Sequence, residues 1–277
     1  MSVKKAGTVK RVKHWKNGSI PIDDTEMDYI VFGRGRKPFI MLPGLGDGLK
    51  SAKGMALPFS ALYRKLGAHY RVYAFSRRRR IPDGFTTRDM AEDVARAMET
   101  LGIRCAHILG VSMGGMIAQH LAANHPERVE KLVLCVTTAR PGEKTRRILQ
   151  HWMRLAKNKQ YRAYMTDMGK CIYSDAYFKK RRWMYQLMGD VAVPKSWDNY
   201  FAQTKACMAH DASELTGQIK CPVLVIGGEQ DHVIPPADSR RLAEAIEGSR
   251  LYLYPQYGHG SFEEAKDFQD RLIAFLG

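Results

Sequence analysis

The segment Ile108-Leu109-Gly110-Val111-Ser112-Met113-Gly114-Gly115-Met116-Ile117-Ala118 constrains this chain more than any other. An apolar run ends at a serine with glycine two residues before and two after, and an amphipathic stretch follows. Small residues at those positions let a strand turn sharply into a helix and lift the serine oxygen above a sheet. The helix N-terminus just beyond favours negative charge developing nearby. Ser112 is therefore a candidate nucleophile. The competing reading is a tight turn that happens to contain a serine.

The surrounding sequence alternates short β-branched or aromatic runs with longer stretches of helical period. That rhythm predicts an α/β fold, a mostly parallel doubly wound sheet with helices on both faces. Candidate strands are Tyr29–Phe32, Phe39–Leu42, Arg71–Ser76, Ala106–Val111, Lys131–Val136, Val223–Gly227 and Arg250–Tyr254, with an extra antiparallel strand near Thr8–Lys13. Ile-Leu-Gly-Val at 108–111 and Val-Leu-Val-Ile at 223–226 are continuously apolar, as expected where both sheet faces are covered. Candidate helices are Ala56–Lys65, Thr87–Leu101 (capped by Thr87), Met113–Asn124, Ala237–Ile246 and Phe262–Phe275. Between Pro141 and about Gly217 the chain is helix-compatible and rich in Met, Tyr, Trp and basic residues, with no convincing strand. A stretch this long is not a plain loop. The expected division is a core of 1–140 and 218–277 with a helical insertion at 141–217.

A serine hydroxyl needs a base within hydrogen-bonding reach. Of nine histidines, His259 is placed best. It lies in Tyr257-Gly258-His259-Gly260, after the last predicted strand, where flanking glycines allow the backbone to aim the ring inward. His232 is the best competing base. The orienting acid is expected to be Asp231, just past the strand that ends Val225-Ile226-Gly227-Gly228, with Glu229 its nearest rival. The order Ser112, Asp231, His259 is the one expected for a strand-elbow nucleophile. A tetrahedral intermediate also needs two N–H donors. Met113 is expected to supply one. Leu45, in Pro43-Gly44-Leu45-Gly46-Asp47-Gly48, is expected to supply the other, with Gly44 the alternative. That loop lacks the glycine–lysine pattern of a phosphate cradle.

With these residues in view the chain resembles the α/β-hydrolase superfamily over nearly its whole length. The resemblance rests on the Gly110–Gly114 elbow, the Gly227…Asp231…Pro235 segment and Gly258-His259. It implies that 141–217 is a helical cap roofing an acyl pocket. It also implies acylation of Ser112, then attack by a water that His259 activates, with no metal or organic cofactor required. The chain departs from the pattern at two places. Pro43-Gly44 stands where many members have His-Gly, and Arg77-Arg78-Arg79-Arg80 fills a loop that is usually mixed. The serine argues against the epoxide-hydrolase and haloalkane-dehalogenase branches, which use aspartate.

Charge bears on the substrate. The formal net is +16, unevenly spread, with +13 in residues 1–80 and +8 in 141–220. Such a field attracts anions, yet solubility explains it as well, and no zinc-finger, RRM or helix-turn-helix signature points to specific nucleic-acid binding. Arg77–Arg80 and Lys179–Arg182 could hold an anionic group on a small acyl substrate, or simply form solvated faces. The cap residues Trp152, Met153, Tyr161, Tyr164, Trp183 and Tyr185, with neighbouring Tyr and Met, are candidates for an apolar pocket or for packing. No apolar run approaches the roughly 20 residues of a membrane span. Five widely spaced cysteines suggest reduced thiols in a cytoplasmic protein. The expected function is hydrolysis of a carboxylic ester or related acyl compound. Thioester, amide or C–C bond cleavage, acyl transfer, perhydrolysis and a non-enzymatic receptor are the alternatives.

Overall fold

The two continuous apolar runs are the centre of the molecule. In a computed structural model that describes residues 14–277, every residue of β5 (Ala106–Val111) and β7 (Val223–Gly228) is buried. The remaining strands are β1 (Trp15–Ile22), β2 (Thr25–Phe32), β3 (Lys37–Leu42), β4 (Tyr70–Arg78), β6 (Val129–Cys135) and β8 (Arg250–Tyr254). They form one sheet in the order β1-β2-β4-β3-β5-β6-β7-β8. The pairs β1–β2 and β2–β4 are antiparallel, and the rest are parallel. Buried side chains divide into two apolar clusters, one on each face, as a doubly wound sheet requires.

Strand β1 was not anticipated. Its sequence, Trp-Lys-Asn-Gly-Ser-Ile-Pro-Ile, carries poor strand formers, and Pro21 is tolerated because β1 is the edge strand. The strand expected near Thr8–Lys13 lies outside the described residues. Helix α1 (Ala56–Leu62) ends at Tyr63 and α2 (Arg64–His69) begins there, so the expected single helix is two. The C-terminal helix is likewise divided into α10 (Ser261–Glu264) and α11 (Phe268–Leu276).

For α3 (Thr87–Thr100) the cap is Thr86, one residue earlier than expected. Asp89 N–H donates to Thr86 Oγ1 at 3.2 Å, and Thr86 N–H donates to Asp89 Oδ2 at 2.8 Å, a reciprocal capping box. Thr87 is buried, and its hydroxyl bonds His210 Nδ1 at 2.8 Å.

Four helices follow β6 and precede β7: α5 (Glu143–Lys157), α6 (Tyr161–Ile172), α7 (Asp175–Val191) and α8 (Asp198–Ala209). They form the helical cap over the sheet. Strand β7 then returns the chain to the sheet, and helix α9 (Pro236–Ala245) follows it.

Where α3, α4 (Met113–Asn124) and the end of α8 meet, His120 and His210 pack edge to face with ring centroids 5.3 Å apart. Burial holds His210 down at about 3, with His120 adding to the effect. Burial and then Arg88 lower His120. Burial thus favours the neutral form of both rings in the folded protein, whereas the unfolded chain binds their protons in acid. Their contribution is complete above the ordinary histidine value of about 6.5 and is lost as pH falls toward the folded values. The urea midpoint of wild type is expected to fall more steeply between pH 6.5 and 4 than that of His210→Gln. Parallel curves would contradict this.

Candidate active site

All the candidate groups sit at the carboxyl ends of neighbouring parallel strands, and strand register explains why they meet. Leu42, the last residue of β3, is level with Gly110 of β5, and Val111 is level with Cys135 of β6. The loop after β3 and the turn after β5 therefore start side by side. At the turn Ser112 takes φ 54° and ψ −120°, a conformation that side chains rarely adopt. It is held there from three directions: Ser112 N–H donates to Cys135 O at 2.8 Å, Gly115 N–H donates to Ser112 O at 2.8 Å, and Thr137 Oγ1 donates to the same carbonyl at 2.8 Å.

His259 and Asp231 arrive from the other side. Past β7, Glu229 N–H bonds Tyr254 O at 2.9 Å and Gln230 N–H bonds Tyr257 O at 3.1 Å, so the two loops continue the β7–β8 ladder. His259 Nδ1 lies 2.8 Å from Asp231 Oδ2, and its Nε2 lies 3.0 Å from Ser112 Oγ. An ionised carboxylate only accepts, so Nδ1 carries the hydrogen and Nε2 is left to accept from the serine hydroxyl. Asp231 Oδ1 also accepts the N–H groups of Val233 at 2.8 Å and Ile234 at 2.9 Å, which fixes the carboxylate's orientation. Both His259 and Asp231 are buried, whereas Ser112 remains partly open to solvent. The cap anchors the histidine loop as well: Gly260 N–H donates to Ile172 O at 2.7 Å.

Gly44 lies against the serine, since a Cβ there would stand 3.3 Å from Ser112 Cβ. Leu45 opens a short 3₁₀ turn, Leu45–Gly48, and Met113 opens α4. The first N–H groups of such turns have no partner within the turn. The N–H groups of Leu45 and Met113 are thus without partners inside their own turns, on either side of the Gly44–Ser112 contact.

The rival residues go elsewhere. His232 is exposed, and Glu229 pairs with Arg240. His107 is fully buried in β5, and His125 bonds Glu92 at 2.9 Å. In the arginine run, Arg78 grips Asp93 through two nitrogens, Arg79 pairs with Asp28 and Glu26, and Arg80 with Asp24. These three arginines already face carboxylates, mostly from the β1–β2 hairpin, so they are tied to structure. Arg181 covers the Tyr177 ring at 3.7 Å. In the cap, Trp152, Met153, Tyr164 and Tyr185 are buried in packing, whereas Trp183 is 66% exposed. A surface groove of 790 Å³ between α5, α6 and α7 contains none of the residues around Ser112. A second, of 630 Å³, opens beside the Pro43–Gly48 loop and is lined by Asp47, Gly48, Arg77, Lys195 and Asn199 among others. Sequence reasoning missed Thr137 and Asp47. A hydroxyl just after β6 and an acid among loop glycines were their only signals.

A strained serine between strand and helix, on a capped and mostly parallel sheet, defines a hydrolytic enzyme. The chain belongs to the alpha/beta-hydrolase family, whose model for the alpha/beta hydrolase fold matches residues 37–167 and 172–266. It is 27% identical over 250 residues to the protein named "Putative carbamate hydrolase RutD" of Caulobacter sp. strain K31, covering 87% of this chain and 91% of that one. It is 28% identical to the enol-lactonase from Burkholderia xenovorans LB400, with a TM-score of 0.78 over 94% of this chain and 99% of that one. MGS-M2, an alpha/beta hydrolase enzyme from a Medee basin deep-sea metagenome library, superposes with a TM-score of 0.84 over 94% of this chain and 97% of that one. At 22% identity, that likeness concerns the fold.

Proposed function

We propose that the protein is a serine hydrolase that cleaves a small carboxylic ester or related acyl compound through an acyl-enzyme on Ser112. The observation that carries this reading is the continuous contact from Asp231 through His259 to Ser112, at 2.8 and 3.0 Å. In this mechanism Nε2 takes the hydroxyl proton as Oγ attacks the acyl carbon. The oxyanion is met by the N–H groups of Met113 and Leu45. The imidazolium, stabilised by Asp231, then returns the proton to the departing alcohol. A water repeats the sequence on the acyl-enzyme, releasing the acid and freeing Ser112. Apart from substrate and that water, every step uses only groups of this chain. A strained elbow suits the chemistry because it exposes Oγ while keeping the adjacent N–H close to the reacting carbonyl.

A second reading, cleavage of a carbamate by the same groups, is favoured by the similarity to the RutD protein. The experiment is labelling by a fluorophosphonate probe together with turnover of p-nitrophenyl esters of increasing acyl length. Wild type is expected to label and to turn over the shorter esters, and Ser112→Ala to do neither. Labelling with turnover of a p-nitrophenyl carbamate but of no ester would favour the second reading. Equal turnover by wild type and Ser112→Ala would overturn both.

A further inference from the structure

The loop Pro43-Gly44-Leu45-Gly46-Asp47-Gly48 contains three glycines in six residues, so its backbone has little intrinsic preference for one geometry. An oxyanion donor must nevertheless be in place before the reaction, because its value lies in not having to reorganise. Something outside the loop must hold it. Arg77 does so from the neighbouring strand, whose carboxyl end lies beside that of β3.

Its main-chain N–H donates to Asp47 Oδ2 at 2.8 Å, and its guanidinium Nη2 donates to Pro43 O. One residue thus grips the loop at both ends, with Leu45 between. The Pro43 contact fixes the peptide plane that precedes Gly44, and the proline ring fixes its own φ. Leu45 N–H follows only one freely rotating residue later. On the far side the cap closes in: a Cβ on Gly48 would stand 2.8 Å from Tyr200 Cα and 3.2 Å from Gln203 Nε2.

Arg77 also differs from the other three arginines of its run. It is as buried as Arg78, both 6% exposed, but its Nε has no hydrogen-bond partner, and among the described residues its guanidinium forms no ion pair with a carboxylate oxygen within 4.0 Å. Burial lowers its pKa, and the charge of Asp47 acts in the opposite direction. The guanidinium therefore contributes positive charge beside the loop, offset in part by the Asp47 carboxylate that accepts from the main chain of the same residue. This is the loop in which Pro43-Gly44 replaces the His-Gly of many relatives.

We propose that Arg77 is the positioning residue of the oxyanion hole: by clamping Pro43 O and Asp47 it holds Leu45 N–H toward Ser112. The proposal rests on the acyl-enzyme reading. Misplacing a group by about 1 Å can cost on the order of 10² in rate. Arg77→Ala is therefore expected to lower kcat for a p-nitrophenyl ester about 10²-fold while KM changes less than about threefold. Arg77→Lys, which keeps charge and length but loses the fork, is expected to lie between Ala and wild type.

The specific readouts are binding of an alkyl boronic acid, which forms a tetrahedral adduct on the serine, and rescue of Arg77→Ala by guanidinium ion. Boronate affinity is expected to fall in proportion to kcat, with guanidinium restoring part of both and ammonium restoring neither. Arg80→Ala, whose side chain is 70% exposed, serves as the control and is expected to match wild type. Wild-type kcat in Arg77→Lys and Arg77→Ala overturns the proposal. So does a kcat loss without any change in boronate affinity, which would mean only general disruption. Either result leaves the acyl-enzyme reading standing if Ser112→Ala is inert, whereas turnover by Ser112→Ala would remove the reading itself.

Discussion

His259→Ala is expected to lower kcat by about 10⁶, and Asp231→Asn by about 10⁴, magnitudes measured in serine proteases with the same three groups. The two substitutions fail for different reasons. Without the ring nothing accepts the Ser112 proton, and a neutral hydroxyl is a weak nucleophile. With asparagine at 231 the packing survives, because the amide oxygen still accepts from Val233 and Ile234 as Oδ1 does now. The amide NH₂ then faces Nδ1 and forces it to accept. The ring hydrogen moves to Nε2, which donates to Ser112 Oγ where it must accept. Activity is expected to collapse while the circular dichroism spectrum and the unfolding midpoint stay near wild type. The effects are also expected not to add: Ser112→Ala combined with His259→Ala should be about as inactive as either alone. An Asp231→Asn enzyme within tenfold of wild type would mean that the buried carboxylate does not set the tautomer.

How much of this was readable in advance depended on whether a feature was local. Strands β5 and β7 announce themselves because a strand covered on both faces is apolar at every position. Ser112 was legible because its strained turn demands glycine at 110 and 114. Topology favours His259 over His232 in the sequence, and in the structure His259 lies 3.0 Å from Ser112 Oγ while His232 faces solvent. Features set by tertiary partners were not legible. Thr86 and Thr87 are interchangeable as caps in sequence, and only the buried His210 decides which hydroxyl faces inward. The arginine run read equally well as an anion site or a solvated face. Four of its partners lie in the β1–β2 hairpin, Asp23, Asp24, Glu26 and Asp28, whose first strand carries no sequence signal. Arg77 differs from its neighbours only through Pro43 and Asp47, two residues thirty and more positions away.

The elbow itself supplies the second large effect. In Gly114→Ala the new Cβ would stand 1.9 Å from Leu42 O, 2.6 Å from Leu42 C and 2.8 Å from Pro43 O. All three are main-chain atoms, so no rotamer change relieves the clash. Strand β3 cannot retreat, because it is hydrogen-bonded to β4 on one side and β5 on the other. Helix α4 retreats only at a cost. It is buried from Met113 through Ala122, and Gly110 already leaves only 2.5 Å between its own would-be Cβ and Gly114 O. Overpacking costs about 1–3 kcal/mol where side chains can adjust, and a backbone clash belongs at or above that upper end. For a chain of this size that corresponds to a fall of roughly 6–12 °C in Tm. Any accommodation must push the start of α4 away from the Pro43–Gly48 loop, which separates the Met113 and Leu45 donors from each other. A folded Gly114→Ala protein is therefore also expected to lose about 10²–10³ in kcat. Gly217→Ala is the control, since nothing lies within 4 Å of its new Cβ, and its Tm and kcat are expected to stay at wild-type values. Wild-type Tm and turnover in Gly114→Ala would place the end of β3 and the start of α4 farther apart than the elbow geometry requires.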